Sequence, residues 1–108
     1  MQKEAILTQL GYGVSENSLA QLQRVIDNTR NFEYIEKHLI SLNETLKAHF
    51  SFIALSSSKD YFKIKNEAPS QELRDEVDEI IKKWATKYKI EIQKVDGKDT
   101  YYIIGKEE

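Results

Sequence analysis

The chain has 108 residues, enough for one domain whose hydrophobic core folds without disulfides or a metal. It contains no cysteine, which excludes disulfides, thiolate zinc sites and thiol nucleophiles and indicates a reducing compartment. Its 16 basic and 18 acidic residues give a net charge of −2, so binding to nucleic acid or anionic lipid would need a local basic patch.

The hydropathy pattern argues against a membrane protein. No stretch approaches the roughly 18 apolar residues of a membrane span, and the first residues lack the apolar run of a signal peptide. We therefore expect one cytoplasmic domain, 1–108. Its N-terminal part, 1–50, has helical spacing, and its C-terminal part, 51–108, alternates between strand and helix patterns.

The N-terminal part begins with a short amphipathic helix over residues 2–10, which Gly11 and Gly13 end. The sequence from Ser18 to Gln21 resembles a capping box and predicts the start of the next helix. From Leu19 to Phe50, apolar residues recur every three or four positions. This stripe predicts a helical face that is buried along its whole length.

The stripe is irregular around Asn28–Asn31, where four modest helix formers follow one another. We interpret this as a break with Asn31 as the N-cap of a new helix, so that two helices fold back as a hairpin. One continuous helix is the alternative, and it would favour a dimer.

The C-terminal part has the pattern ββαββ. A helix opens at Pro69–Ser70 and continues to Tyr88, with acidic residues early and lysines late, as the helix dipole prefers. Asp96–Gly97 is typical of a hairpin turn. Four segments have strand character, and they form two hairpins: 52–55 with 61–65, and 89–95 with 100–104.

Strands 52–55 and 100–104 are apolar on both faces, whereas 61–65 and 89–95 carry charges on one face. Since strands that are apolar on both faces belong in the middle of a covered sheet, we predict the order 2-1-4-3, with strands 1 and 4 parallel. The expected fold is α+β: an N-terminal helical hairpin on a four-stranded mixed sheet, with one helix on the opposite face. A second subunit is the alternative cover for the sheet.

Sequence motifs give no support for catalysis. His38 and His49 lie about 16 Å apart along a continuous helix, which is too far for one metal ion. The acidic residues of helix 70–88 fit the solvated face of an amphipathic helix. Nucleophile-elbow and phosphate-loop motifs are absent from the sequence. We therefore predict no enzymatic activity, no metal and no cofactor.

The favoured function is a small protein-interaction module that acts as an adaptor, inhibitor or regulatory protein, alone or as a homodimer. The reason is surplus apolar surface on the two-faced strands and on the long helical stripe. Aromatic residues dominate many protein interfaces. The candidate partner-binding residues are Phe32, Tyr34, Tyr61, Tyr101 and Tyr102.

The alternative function is nucleic-acid binding. Residues 6–26 have the outline of a helix-turn-helix, and Arg24 and Arg30, in and just beyond its second helix, would contact phosphates. Tyr61, with Lys59, Lys63 and Lys65, alternates an aromatic ring with cations, a pattern typical of sheets that stack single-stranded bases. The structural alternative is that these lysines protect an edge strand against pairing with a strand of another molecule.

Overall fold

The computed structural model describes residues 1–107. Its helices are α1 (Lys3–Gln9), α2 (Glu16–Asp27), a 3-10 helix (Phe32–Tyr34), α3 (Glu36–Lys47) and α4 (Gln71–Tyr88). Its strands are β1 (Phe52–Leu55), β2 (Phe62–Lys65), β3 (Ile90–Lys94) and β4 (Thr100–Lys106). The predicted α+β class and the ββαββ order of the second half are confirmed.

The four strands form one antiparallel sheet in the order β1-β2-β4-β3. The central position of β4 is confirmed, and β2 and β3 run in the same direction because both are antiparallel to β4. The predicted order 2-1-4-3 and the mixed sheet are wrong, because β2 and not β1 pairs with β4. The unit β2-α4-β3 is therefore a split β-α-β unit with β4 between its two strands.

The helices pack on a single face of this sheet. The buried residues of neighbouring strands face each other in register, as in Ile53 with Ile64 and Ile64 with Tyr101. These side chains belong to the same core cluster as Leu22, Leu39 and the other buried helical residues. The molecule thus has two layers, and the predicted three-layer arrangement with a helix on each face is wrong.

Strand order follows from the uncovered second face. A central strand needs two apolar faces only when both faces are covered. Lys63 and Lys65 of β2 point to the uncovered face, where water solvates their ammonium groups in a central strand. β1 tolerates the edge because side chains satisfy its outward amides: Ile53 N–H donates to Asn43 and Leu55 N–H donates to Tyr12, each at 2.9 Å.

The N-terminal helices differ in detail from the sequence expectation. The N-cap of α2 is Ser15 and not Ser18, and the two serines form the capping box together. The expected break at Asn28–Asn31 is confirmed. Asn31 itself is left-handed, with φ of 55°, and precedes the 3-10 helix without a side-chain cap.

The predicted helical hairpin is replaced by other contacts. α1 packs on α2, whereas α3 packs on β1 and on α4. Phe50, the last residue of the predicted buried stripe, is 65% exposed and has a φ of 62°. Within residues 1–107, no helix combines the length and apolar character needed to cross a membrane.

Candidate functional site

The candidate site is the uncovered side of the sheet, which we call the open face. No helix of residues 1–107 packs its buried side chains here, and Phe52 and Ile104 lie outside the hydrophobic core cluster. Strand alternation sends every second residue to this side. The open face comprises Phe52, Ala54, Tyr61, Lys63, Lys65, Glu91, Gln93, Thr100, Tyr102 and Ile104.

Two tyrosines occupy its middle. Tyr61 precedes β2 and Tyr102 lies on β4, and their ring centroids are 5.5 Å apart with the planes inclined by 40°. Both side chains are half-buried. Lys63 lies directly opposite Tyr102 in the β2–β4 register. The two rings, one just before β2 and the other on the neighbouring strand β4, form an aromatic pair that we call the tyrosine platform.

Cations surround this platform on the side of β2. The Nζ of Lys59 lies 5.8 Å from the centroid of the Tyr102 ring, within the range of a cation–π interaction. Lys65 also points to the open face, and its Nζ is 3.4 Å from Oε2 of Glu67. Lys63 adds a further ammonium group between them. The opposite margin, on β3, carries Glu91 and Gln93, and Glu91 is paired with Arg30 at 2.9 Å.

The hydroxyl of Tyr102 lies in a polar environment. Hydrogen bonds from the side chains of Ser58 and then Ser56 lower the pKa of Tyr102, and Lys59 and Lys63 act in the same direction. These groups all stabilise negative charge on the phenol oxygen. The loop before β2 therefore presents hydrogen-bond donors and cations together at the edge of the tyrosine platform.

The structure separates the five predicted protein-contact residues. Phe32 and Tyr101 are 8% and 3% exposed and belong to the hydrophobic core cluster, so neither ring is presented on the surface of this structure. Phe32 stacks on Phe62 in the core, with centroids 5.6 Å apart. Tyr34 is 64% exposed on the 3-10 helix, outside the open face. Tyr61 and Tyr102 remain, and they lie together.

The structure also separates the predicted nucleic-acid contacts. Lys59, Lys63 and Lys65 lie on or beside the open face, whereas Arg24 and Arg30 make contacts within the fold. Arg30 pairs with Glu91 at 2.9 Å and donates to the carbonyl of Lys106 at 2.9 Å. Arg24 lies 3.7 Å from Asp60.

The contacts of α2 give no support to the helix-turn-helix interpretation. Two polar side chains of α2 bind the loop before β2: Gln21 donates to the carbonyl of Ser56 at 3.2 Å, and Asn28 to that of Asp60 at 2.8 Å. A recognition helix needs this kind of polar face free to enter a groove. The face of α2 that carries Gln21, Arg24 and Asn28 is instead a structural contact.

Phe52 and Ile104 are members of the open face that sequence reasoning missed. The sequence analysis places both residues in central strands of a sheet that is covered on both faces. Their alternation with Ile53 and Ile103 was visible in the sequence, but the pattern did not reveal that one face is uncovered. Sequence reasoning also missed that Phe50 is exposed. Its aromatic ring lies two positions before Phe52, and its backbone is in a left-handed conformation.

The described residues do not indicate a metal site or a catalytic histidine. Within residues 1–107, no cluster of three or more His, Asp or Glu side chains is arranged to hold a metal ion. His38 stacks on the ring of Tyr88, with centroids 3.7 Å apart. Burial, followed by Lys37, Lys106 and Lys87, lowers the pKa of His38, which favours the neutral imidazole in this stack.

The open face must be interpreted from its own geometry, because comparison with known proteins gives no guide. No protein-family model, curated protein or solved structure matches this chain.

Proposed function

We propose that this chain is a non-catalytic binding module and that its open face binds single-stranded nucleic acid. The observation that carries the proposal is the meeting of Tyr61 and Tyr102 with Lys59, Lys63 and Lys65 on one uncovered side of the sheet. Residues that the sequence assigned to two different functions form a single surface. We therefore favour nucleic-acid binding, the alternative function in the sequence analysis, over the protein-interaction module.

Stacking supplies the first part of the binding energy. An unpaired base that stacks on an aromatic side chain contributes about 1–3 kcal/mol, with little dependence on base identity. Tyr61 and Tyr102 are half-buried and supply two neighbouring aromatic rings. The half-buried Phe52 and Ile104 add apolar surface on the same side.

Electrostatic attraction supplies the second part. Lys59 and Lys63 lie next to the ring of Tyr102, so a backbone that follows a stacked base passes close to both ammonium groups. The overall charge of −2 does not oppose this, since the Debye length at physiological salt is about 8 Å and confines interaction to the local patch.

The same lysines argue against burial of the open face by a second copy or by a purely apolar partner. Lys63 sits in a central strand, opposite both Ala54 and Tyr102. Packing a dry surface over it would desolvate an ammonium group without a counter-ion, which is costly. The ligand that fits must bring negative charge.

A protein partner with an acidic, apolar segment is the second candidate, and it preserves the adaptor or inhibitor function that the sequence favoured. Phe52 and Ile104 support it, since both lie beside the lysines and leave apolar surface outside the core cluster. Carboxylates of such a segment would pair with Lys59 and Lys63. This candidate uses the same open face, so the two ligands must be distinguished by direct binding.

The test is fluorescence anisotropy with labelled single-stranded DNA and RNA oligonucleotides of about ten nucleotides. We compare the wild type with Tyr102→Ala and with Lys63→Glu. Lys94→Glu is the matched control: it makes the same charge change on the sheet, but Lys94 lies opposite Tyr101 in the β3–β4 register and thus on the other face.

Binding to oligonucleotides that weakens steeply with salt, is lost in both open-face variants and is unchanged in Lys94→Glu supports the proposal. Absence of binding at low salt to both DNA and RNA overturns it. Equal loss in Lys94→Glu also overturns it, because attraction would then depend on net charge and not on the open face.

A further inference from the structure

A second surface lies on α4, at the opposite side of the molecule from the open face. The exposed side of this helix carries acidic residues in its first half and lysines in its second half. Five of these exposed residues fall close together at helical spacing: Glu79 lies at one margin, and we call the other four the α4 charge stripe, namely Glu72, Glu76, Lys83 and Lys87.

The α4 charge stripe is not neutralised within one molecule. Among residues 1–107, none of its four charges lies within 4.0 Å of an opposite charge. Lys87 makes only a cation–π contact, with its Nζ 5.3 Å from the ring of Tyr88. Dipole compensation explains why acids precede lysines along a helix, but it does not explain their alignment on one exposed stripe.

The spacing of the stripe matches an antiparallel copy of itself. Glu72 and Lys87 are separated by about 22 Å along the helix axis, and Glu76 and Lys83 by about 10 Å. Both pairs are centred on the same point, between Glu79 and Ile80. When a second α4 runs antiparallel across this midpoint, each acidic residue lies opposite a lysine of the other copy. Two-fold symmetry then repeats both contacts, which gives four intermolecular ion pairs.

The apolar surface beside the stripe is suited to the same contact. Ile80 lies next to the midpoint and is half-buried. It lines a groove between α3 and α4 whose other apolar members are Leu42, Trp84 and Tyr88. An antiparallel partner helix that covers the stripe also covers the rim of this groove, so that apolar burial accompanies the ion pairs.

We propose that two copies of this chain associate through the α4 charge stripe in an antiparallel, two-fold symmetric arrangement. The open face lies on the other side of the sheet from α4 and stays accessible in this dimer. Each dimer thus presents two open faces. The inference is independent of the ligand of the open face, because it depends only on the charges and spacing of α4.

The experiment uses analytical ultracentrifugation on the full chain and three variants. One variant makes the stripe entirely basic, Glu72→Lys/Glu76→Lys, and a second makes it entirely acidic, Lys83→Glu/Lys87→Glu. The third combines all four substitutions and inverts the stripe. We expect a wild-type dimer that weakens with salt, and dimer affinity reduced by at least roughly tenfold in the basic and acidic variants.

Two results then distinguish this interface from a folding defect. The basic and acidic variants, mixed in equal amounts, should form a heterodimer, because their stripes are complementary along the whole helix. The inverted variant should recover the homodimer, although its charges oppose the helix dipole more than those of either double variant. A monomeric wild type at high protein concentration overturns the proposal, as does a mixture of the double variants that stays monomeric.

Discussion

The side-chain oxygen Oδ1 of Asn43 accepts a hydrogen bond from the backbone N–H of Ile53 at 2.9 Å, which joins α3 to the outer edge of β1. The amide nitrogen of the same side chain donates to the carbonyl of Gln9 at 3.2 Å. Asn43 is 1% exposed, and its contact with Ile53 is buried. One buried amide thus connects α1, α3 and the sheet, and it caps an edge that would otherwise offer a free donor.

Replacing Asn43 with alanine should destabilise the protein by about 1–3 kcal/mol, because the Ile53 N–H would stay buried without an acceptor. Chemical denaturation followed by the fluorescence of Trp84, the only tryptophan, measures this change. Asn17→Ala is the control, since Asn17 is exposed on the first turn of α2. Equal stability of the two variants would show that the Asn43 contacts contribute nothing to the fold.

Gly105 should not tolerate a side chain. It pairs with Glu91 of β3 and also forms an isolated parallel bridge with Arg30. A Cβ atom at this position would lie 2.6 Å from Cβ and N of Arg30 and 2.7 Å from its carbonyl oxygen. Because two of these atoms are backbone, the chain itself must move, and we expect Gly105→Ala to cost about 1–3 kcal/mol of stability.

Gly13→Ala provides the matched comparison for Gly105. A Cβ atom at Gly13 meets nothing within 4 Å. The exchange should therefore be neutral or slightly stabilising, since alanine restricts the unfolded chain. Thermal unfolding of both variants tests the pair. A Gly105→Ala protein that melts with the wild type would contradict the close approach of Arg30 to β4.

Tyr101 should make the stability depend on alkaline pH. Burial, followed by the charge of Asp78 and a hydrogen bond to it at 3.3 Å, raises the pKa of Tyr101 from 10.0 to about 12. The folded protein therefore holds this proton more tightly than the unfolded chain does. The resulting stability is fully present below pH 10.0 and is lost as the pH rises through about 12.

Comparison of the wild type with Tyr101→Phe isolates this effect. The variant should lose about 1 kcal/mol at neutral pH with the hydrogen bond, and its stability should fall less between pH 10.0 and about 12. Urea denaturation at several pH values measures both quantities. Parallel pH profiles for the two proteins would rule out a perturbed Tyr101.

The sequence predicted elements better than their arrangement. Local signals define α4, which begins after the N-cap Ser70 and ends before the left-handed Lys89, and similar signals define both hairpins. Strand order depends on which face is covered, and no local pattern records this. The rule that placed Lys63 and Lys65 at an edge assumed helices on both faces, and it failed because all four α-helices share one face.

The candidate site was likewise predictable only in part. Lys59, Lys63, Lys65 and Tyr61 are close in sequence, so their association was visible. Tyr102 joins them through the β2–β4 pairing, a contact between distant segments. The choice between Tyr101 and Tyr102 depended on a single step of strand alternation, which decides whether a side chain enters the core or reaches the open face.

The most direct test of the central claim is a map of backbone amide chemical shifts during titration with a single-stranded oligonucleotide. We predict that the shifts change most in the loop before β2, in β2 and in β4, with Lys59, Tyr61, Lys63 and Tyr102 among the affected residues. Changes confined to α1 and α2, or no changes at a large excess of oligonucleotide, would contradict the assignment of the open face as the nucleic-acid-binding surface.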